Sequence, residues 1–218
     1  MIYRTKSDLA RQHIQEMIVS GRLRAGDRFT SREVSEALGM SETPIREAIR
    51  SLAAEGWLEL SAHLGVVVAS IKREELSEVY ALRGALEALA LELGGASFDA
   101  ARLAALDRNL EEAEAAAAAG DPTLYARLNR DFHILLADTP NTQWTLKLLS
   151  NVWAQTAAMH RGFEAVPLRM RSSLVEHRGI RDALGARDIP RAARLLAEHE
   201  RKAGAALIAG LTAAKQPA

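Results

Sequence analysis

"GMSETPIREAIRSLAAEG", residues 39–56, decides how the first third of this chain is read. Gly39 ends one helical run and Gly56 ends the next. Ser41 and Thr43 are both candidate N-caps, Pro44 suits a first helical turn, and Glu47 follows within it. The front end of this helix therefore carries Ser41, Glu42, Thr43, Arg46 and, one turn later, Arg50. So many donors at one helix start match the way a helix presents its N-terminal residues to base edges in a DNA groove. Arg46 can offer two parallel hydrogen bonds to a guanine. Ser41 and Thr43, with the free N–H groups of the helix start, suit phosphate. The blander reading is that these arginines only solvate an exposed helix face.

The flanking sequence decides between the two. Residues 7–20, "SDLARQHIQEMIVS", read as a helix capped by Ser7 or Asp8, with Leu9, Ile14, Met17 and Ile18 as its buried stripe. "SREVSEALG" reads as a short helix with Ser31 as cap and Gly39 as terminator, and its Arg32 can reach backbone or base. After Gly56, "WLEL" and "GVVVAS" read as two strands around a "SAHLG" turn. Three helices and a hairpin make a winged helix-turn-helix over residues 1–71. The wing tip is His63-Leu64-Gly65, where Gly65 lets the backbone approach the minor groove.

"SREVSEALGMSETPIREAIRSLAAEGWLEL" resembles the winged helix-turn-helix of the GntR family of bacterial transcription regulators, over about the first 70 residues. The resemblance implies that Arg32, Thr43, Arg46 and Gly65 contact DNA. Glu42 departs from the family pattern, in which arginine is frequent at this position. An acid there repels DNA unless it accepts from a cytosine amine.

From Lys72 the pattern becomes continuously helical. Helices are expected near 73–95, 99–119, 122–138, 142–161, 168–186 and 189–211, separated by Gly- and Pro-containing breaks. Short connections between long helices imply an antiparallel all-α bundle over residues 72–218. The fold class is thus mainly α, a winged helix-turn-helix followed by a helical bundle.

Composition excludes several classes. The 218 residues contain no cysteine, so disulfides and thiolate metal sites are absent. No apolar run approaches the length of a membrane span, and the N-terminus lacks a signal-peptide core. A cytoplasmic protein is expected. Net charge is zero, with 28 Lys+Arg against 28 Asp+Glu. Residues 1–70 are balanced too, with nine of each sign. A sequence-indifferent DNA-packaging protein needs bulk positive charge, so this balance argues against one.

Three histidines mark the bundle: His133, His177 and His199. At about 100° per residue, His177 falls within the stripe Leu174, Ile180, Arg181 and Leu184. His199 falls among Leu195, Leu196, Ala203 and Leu207. His133 lies at the edge of Leu128, Phe132, Leu135 and Leu136, with Asn129 one turn earlier. One such histidine is most simply a satisfied core residue. Three facing one interior, together with an amide, suit a shared divalent ion such as Zn²⁺, Ni²⁺ or Mn²⁺. Glu176 and Glu198, each just before a histidine, are rotated away from it on an ideal helix. Arg83 sits between Val79, Leu86 and Ala90 and needs an anionic partner. That partner is a bundle carboxylate such as Glu87 or Glu176, or the carboxylate of a bound effector.

Residues 75–210 resemble the FCD ligand-binding domain of the FadR-type branch of the GntR family. The resemblance implies a metal held by Asn129, His133, His177 and His199 beside an effector pocket for small organic acids. Asn129 stands where the family usually has aspartate. The neutral amide is a weaker ligand and leaves the ion more positive. The expected function is a repressor that binds an operator of inverted half-sites as a homodimer and answers to a carboxylate metabolite. The alternative is a metal-dependent hydrolase using the three-histidine site to activate water.

Overall fold

In the computed structural model, which describes residues 5–19, 21–61, 65–157 and 167–213, the chain is mainly helical with one small antiparallel sheet. It divides into two units, Met1–Ile71 with Ser150–His160, and Lys72–Leu149 with Arg161–Ala218.

The first unit holds α1 (Lys6–Val19), β1 (Arg28–Phe29), α2 (Ser31–Leu38), α3 (Glu42–Ala54), β2 (Leu58–Ser61) and β3 (Gly65–Val68). Local hydrogen bonds set the helix starts, and two of them differ from expectation. Thr5, rather than Ser7 or Asp8, opens α1. Its N–H and hydroxyl donate to Asp8 Oδ2 at 2.9 and 2.8 Å, and its Oγ1 accepts from the Asp8 N–H at 3.1 Å. Thr30, rather than Ser31, caps α2 through the same reciprocal pattern with Glu33. In both cases a Thr-x-x-acid spacing satisfies two groups at once, which a single serine cannot do. Gly39 closes α2 in the left-handed region, at φ 61°, where a side chain would be strained.

The core of this unit gathers Ala10, Ile14, Ile18, Val34, Ile45, Ile49, Leu52, Trp57, Val66 and Val68, joined by Ala154. Leu9 is instead 42% exposed. The buried row of α1 runs along Ala10, Ile14 and Ile18 at strict i, i+4 spacing, which turns Leu9 outward. The hairpin pairs Leu58 with Val68 and Leu60 with Val66. A further strand, β1, pairs with β3 and makes the sheet order β1-β3-β2. At two residues, β1 is too short to leave a periodicity in the sequence.

The second unit is built from α4 (Leu76–Gly94), α5 (Ala100–Ala119), α6 (Pro122–Ala137), α7 (Gln143–Ala157), α8 (Pro167–Gly185) and α9 (Ile189–Ala213). From Ser150 onward α7 belongs to the first unit. Short 3-10 turns at Arg73–Glu75 and Gly95–Ser97 bracket α4. Asp99 and Asp121 cap α5 and α6, and Pro122 takes the first position of α6, where its missing N–H costs nothing. The core includes Leu91, Leu106, Leu110, Tyr125, Phe132, Leu136, Ile180 and Leu196. Burying each such side chain contributes about 1.5–3 kcal/mol. α4 and α9 approach closely through glycine. A Cβ on Gly84 would lie 3.3 Å from Glu200 Cβ, and one on Gly204 only 2.7 Å from Tyr80 Cβ.

Candidate functional site

Two places carry chemistry, one in each unit. In the first, α3 turns Ile45, Ala48, Ile49 and Leu52 into the core. The same 3.6-residue period leaves Ser41, Thr43, Arg46 and Arg50 exposed, with Arg32 exposed on α2. Ser41 is the N-cap of α3, yet its side chain makes no capping hydrogen bond. The helix start therefore keeps backbone N–H groups available to an anion. Arg32 donates to Glu36 at 2.9 Å, a solvent-exposed pair of little energetic weight. Gly65, at φ 76°, opens β3 with a geometry that favours glycine. His63 lies outside the described residues.

Arg46 is not alone. Its Nε and Nη2 donate to Glu42 Oε2 at 3.2 and 2.8 Å, and Ser31 Oγ donates to the same oxygen at 3.0 Å. Hydrogen bonds from Arg46 and Ser31 hold the Glu42 carboxyl below its ordinary range. It is an anion at neutral pH.

In the second unit, α6, α8 and α9 bring His133, His177 and His199 together, each at most 3% exposed. One nitrogen from each ring lies within 4.8 Å of the others. His177 Nε2 and His199 Nε2 face one another at 3.2 Å. Phe132 stacks on His177 with centroids 4.1 Å apart and fixes its plane. Burial, with the neighbouring imidazoles and arginines, pushes His177 well below the usual histidine range. Burial likewise takes His199 down to about 4, although its bond to Glu176 works the other way. Both rings are neutral at pH 7, which is the ligating form of imidazole.

The outer nitrogens define the tautomers. His133 Nδ1 lies 2.7 Å from Glu87 Oε2, and His199 Nδ1 lies 2.7 Å from Glu176 Oε2. A carboxylate only accepts, so each Nδ1 donates to it, and a neutral ring of that tautomer turns a bare Nε2 lone pair the other way. Arg169 Nη2, 3.2 Å from His199 Nδ1, makes its shorter bond to Glu176 at 2.7 Å. Burial opposes the Glu176 charge, but hydrogen bonds from His199 and Arg169 outweigh it and hold the carboxyl down to about 2. Carboxylate–imidazole pairs of this kind orient metal-binding histidines. His133 Nε2 and Asn129 Oδ1 are both buried without a hydrogen-bond partner. A buried orphan lone pair is costly. A divalent cation among the three imidazoles would satisfy His133 Nε2, so the histidine donors fit the ion that the FCD resemblance implies.

Behind the histidines lies a second charged layer. Arg83, on α4, pairs with Glu87 Oε1 at 3.2 Å and Glu200 Oε1 at 3.0 Å. Of the two bundle carboxylates weighed from the sequence, Glu87 is the one that pairs with it. Glu176 instead engages Arg169 at 2.7 Å. Burial opposes the Arg83 charge, but Glu200 and Glu87 outweigh it and push the guanidinium up. Burial raises Glu200 to about 7, against the pull of Arg83. Arg181, placed on the histidine stripe by phase, turns to Asp107 with two bonds of 2.6 Å.

Sequence reasoning missed Glu200 and Arg169, and it turned Glu176 away from the site. Glu176 does point away from His177 on its own helix. It meets His199 on α9 instead, a contact set by helix crossing and invisible to single-helix phase. The available signal was the pair of acids at Glu176 and Glu200, each beside a buried histidine.

Comparison with known proteins follows the same division. Residues 6–68 match the model of bacterial regulatory proteins of the gntR family, and residues 78–202 match the FCD domain. YdhC of Bacillus subtilis, an uncharacterized HTH-type transcriptional regulator, is 34% identical over 140 residues, covering 64% of this chain and 62% of that protein. This chain thus spans less than two thirds of YdhC. The HTH-type regulator McbR of Escherichia coli is 26% identical over 187 residues, 85% of each chain. A probable D-xylose utilization operon repressor of Paenarthrobacter nicotinovorans is 28% identical, covering 89% of this chain and 85% of that one. The solved structure of E. coli McbR/YncC superposes with a TM-score of 0.85 at 25% identity, over 94% of this chain and 98% of that one. The mainly helical architecture with its small antiparallel wing sheet is thus that of known regulators. These families and relatives are DNA-binding transcription regulators and not enzymes, and they give the hydrolase alternative no support. No helix among the described residues is long and apolar enough to cross a membrane. With an FCD match over more than half of its length, the chain belongs to the GntR family of bacterial transcription regulators and carries that family's DNA-binding and FCD domains.

Proposed function

We propose that this regulator is a cytoplasmic repressor whose hold on an inverted-repeat operator is released by a small organic acid bound beside a metal in the helical domain. Residues 1–71 form the DNA-binding domain and 72–218 the effector and dimerisation domain. Arg46 reads a base edge, with Arg32 and Arg50 beside it. Ser41 and Thr43 take phosphate, and His63 and Gly65 form the wing contact. The exposure of the polar face of α3 supports this assignment.

One observation carries the sensing half: three buried imidazoles converge while His133 Nε2 and Asn129 Oδ1 have no hydrogen-bond partner. His133, His177, His199 and Asn129 would hold the ion, with Zn²⁺ the best fit to imidazole and Ni²⁺ or Mn²⁺ as substitutes. A bound divalent ion supplies positive charge and open coordination positions for an anionic oxygen. Arg83 already faces two carboxylates, which offset its charge toward a third anion. We therefore place the anion's first anchor at the open positions, with Arg83 as a secondary one. The effector controls the operator only if it binds the DNA-bound and free arrangements unequally.

The homodimer follows from operator symmetry and has a surface to use. α4 exposes Leu82, Leu89 and Leu93, at 48, 41 and 49%, along one face. Its charged residues between Val79 and Leu91, Arg83 and Glu87, both point inward. A helix apolar on its outer face as well as its inner one is normally covered.

Elemental analysis of the purified protein tests the sensing half. Near-stoichiometric divalent metal is expected, and it should vanish in the His177→Ala/His199→Ala double variant. Metal-free wild type would return the histidines to a packing role. Gel shifts with DNA from upstream of the gene test the other half. A discrete complex that survives moderate salt and is lost in Arg46→Ala is expected, while equal smearing on every duplex would exclude it.

A further inference from the structure

Glu42 is an acid at the first residue of a helix that the preceding reading sends into a major groove, and the inference that follows rests on that reading. An exposed i, i+4 ion pair usually does little. The geometry here is more specific than that. All three bonds into Glu42, two from Arg46 and one from Ser31, end on Oε2. Among the described residues Oε1 receives none. Arg46, for its part, spends Nε–H and one Nη2–H on Glu42. A guanidinium has five N–H groups, so its outer fork of Nη1 and Nη2 stays available for the N7 and O6 of a guanine. The carboxylate thus grips the arginine from the side and leaves its end free, while Ser31 on α2 steadies the carboxylate.

We propose that Glu42 and Arg46 act as one reading unit, Arg46 taking a guanine and Glu42 Oε1 accepting from the exocyclic amine of a cytosine in the neighbouring base pair. Side chains four apart on a helix start about 5–6 Å apart at Cβ, and successive base pairs lie about 3.4 Å apart. Two side chains that converge at their tips therefore span one step. Cytosine N4 is the major-groove donor that a glutamate recognises. A thymine or guanine at that position would present an acceptor to an anion and be rejected. Glu42 is thereby a specificity-determining residue.

The test is selection of bound duplexes from a randomised pool by the full-length protein, its Glu42→Ala and Glu42→Gln variants, and Arg46→Ala. Wild type is expected to enrich a guanine with an adjoining cytosine. Glu42→Ala should keep the guanine and lose about 5- to 100-fold of discrimination at the adjoining position. Glu42→Gln should shift that position toward adenine, which glutamine pairs well. Identical preferences in wild type and Glu42→Ala would overturn the proposal. So would uniform tightening on every duplex, because Glu42 would then only repel phosphate. If wild type selects no motif at all, the groove-binding assignment itself fails. Loss of the whole motif in Arg46→Ala, with an unchanged melting temperature, shows that α3 still reads DNA and isolates the question of Glu42.

Discussion

The chain holds two acid–arginine networks made of the same parts in opposite surroundings. On α3, Arg46 and Glu42 meet in water, with side chains 65 and 39% exposed. Inside the bundle, Arg83 meets Glu87 and Glu200 at 11% exposure or less. Water makes the first network cheap to break, so Arg46 can leave or share its partner for another acceptor. Exclusion of water makes the second costly to break, so it holds its shape and fixes the imidazoles in front of it. In the function proposed above, a reader needs exchangeable bonds and a metal-binding cradle needs fixed ones. The difference lies in solvent access and not in residue type.

The sharpest way to break this contrast is Arg83→Ala. It leaves two buried carboxylates facing each other without their cation, and a loss of about 3–5 kcal/mol is expected. Chemical denaturation of the wild type and variant measures it, and the loss should change little between low and high salt. A loss below about 1 kcal/mol would mean that the buried network is as soft as a surface pair. Next in size is Glu87→Gln, which keeps shape but weakens the hold on the His133 Nδ1–H. Metal affinity, read by competition with a chelating dye, should fall about 10- to 100-fold. Thr30→Ala removes the reciprocal cap of α2 and should cost about 1 kcal/mol. Glu42→Ala should leave the melting temperature unchanged at any salt while altering DNA preference. A clear fall in stability there would show that the exposed network is structural after all.

Much of the first unit was legible in its sequence because its signals are local. Gly39, the Thr-Pro step and the Gly56 stop fix α3 within a few residues, and the β-branched run in "GVVVAS" gives the wing strand. The choice between Thr30 and Ser31 as cap was also local, and the Thr-x-x-Glu spacing contained the answer. The histidines could be found because each sits on an apolar helical stripe. Glu176 and Glu200 could not be placed the same way, nor could the contact of Glu87 with His133. A helical wheel says which way a side chain leaves its own helix and nothing about the helix it meets. Glu176 finds His199 across 23 positions and Arg83 finds Glu200 across still more, distances only packing resolves. Leu9 failed for a smaller reason: the fully apolar i, i+4 row of α1 is Ala10, Ile14 and Ile18, whereas the row from Leu9 to Met17 passes through His13.

The glycines at 84 and 204 have a mechanical meaning. With no side chain between them at these points, α4 and α9 are pressed together like two planks without a spacer. His199 and Glu200 ride on one plank, Arg83 and Glu87 on the other. A push delivered to the imidazole at 199 therefore moves the pair as a single beam, and bending one member alone would require opening a joint that has no slack. Gly204→Ala would drive a wedge into that joint at Tyr80, loosening the beam while leaving every charged residue of the cradle in the chain.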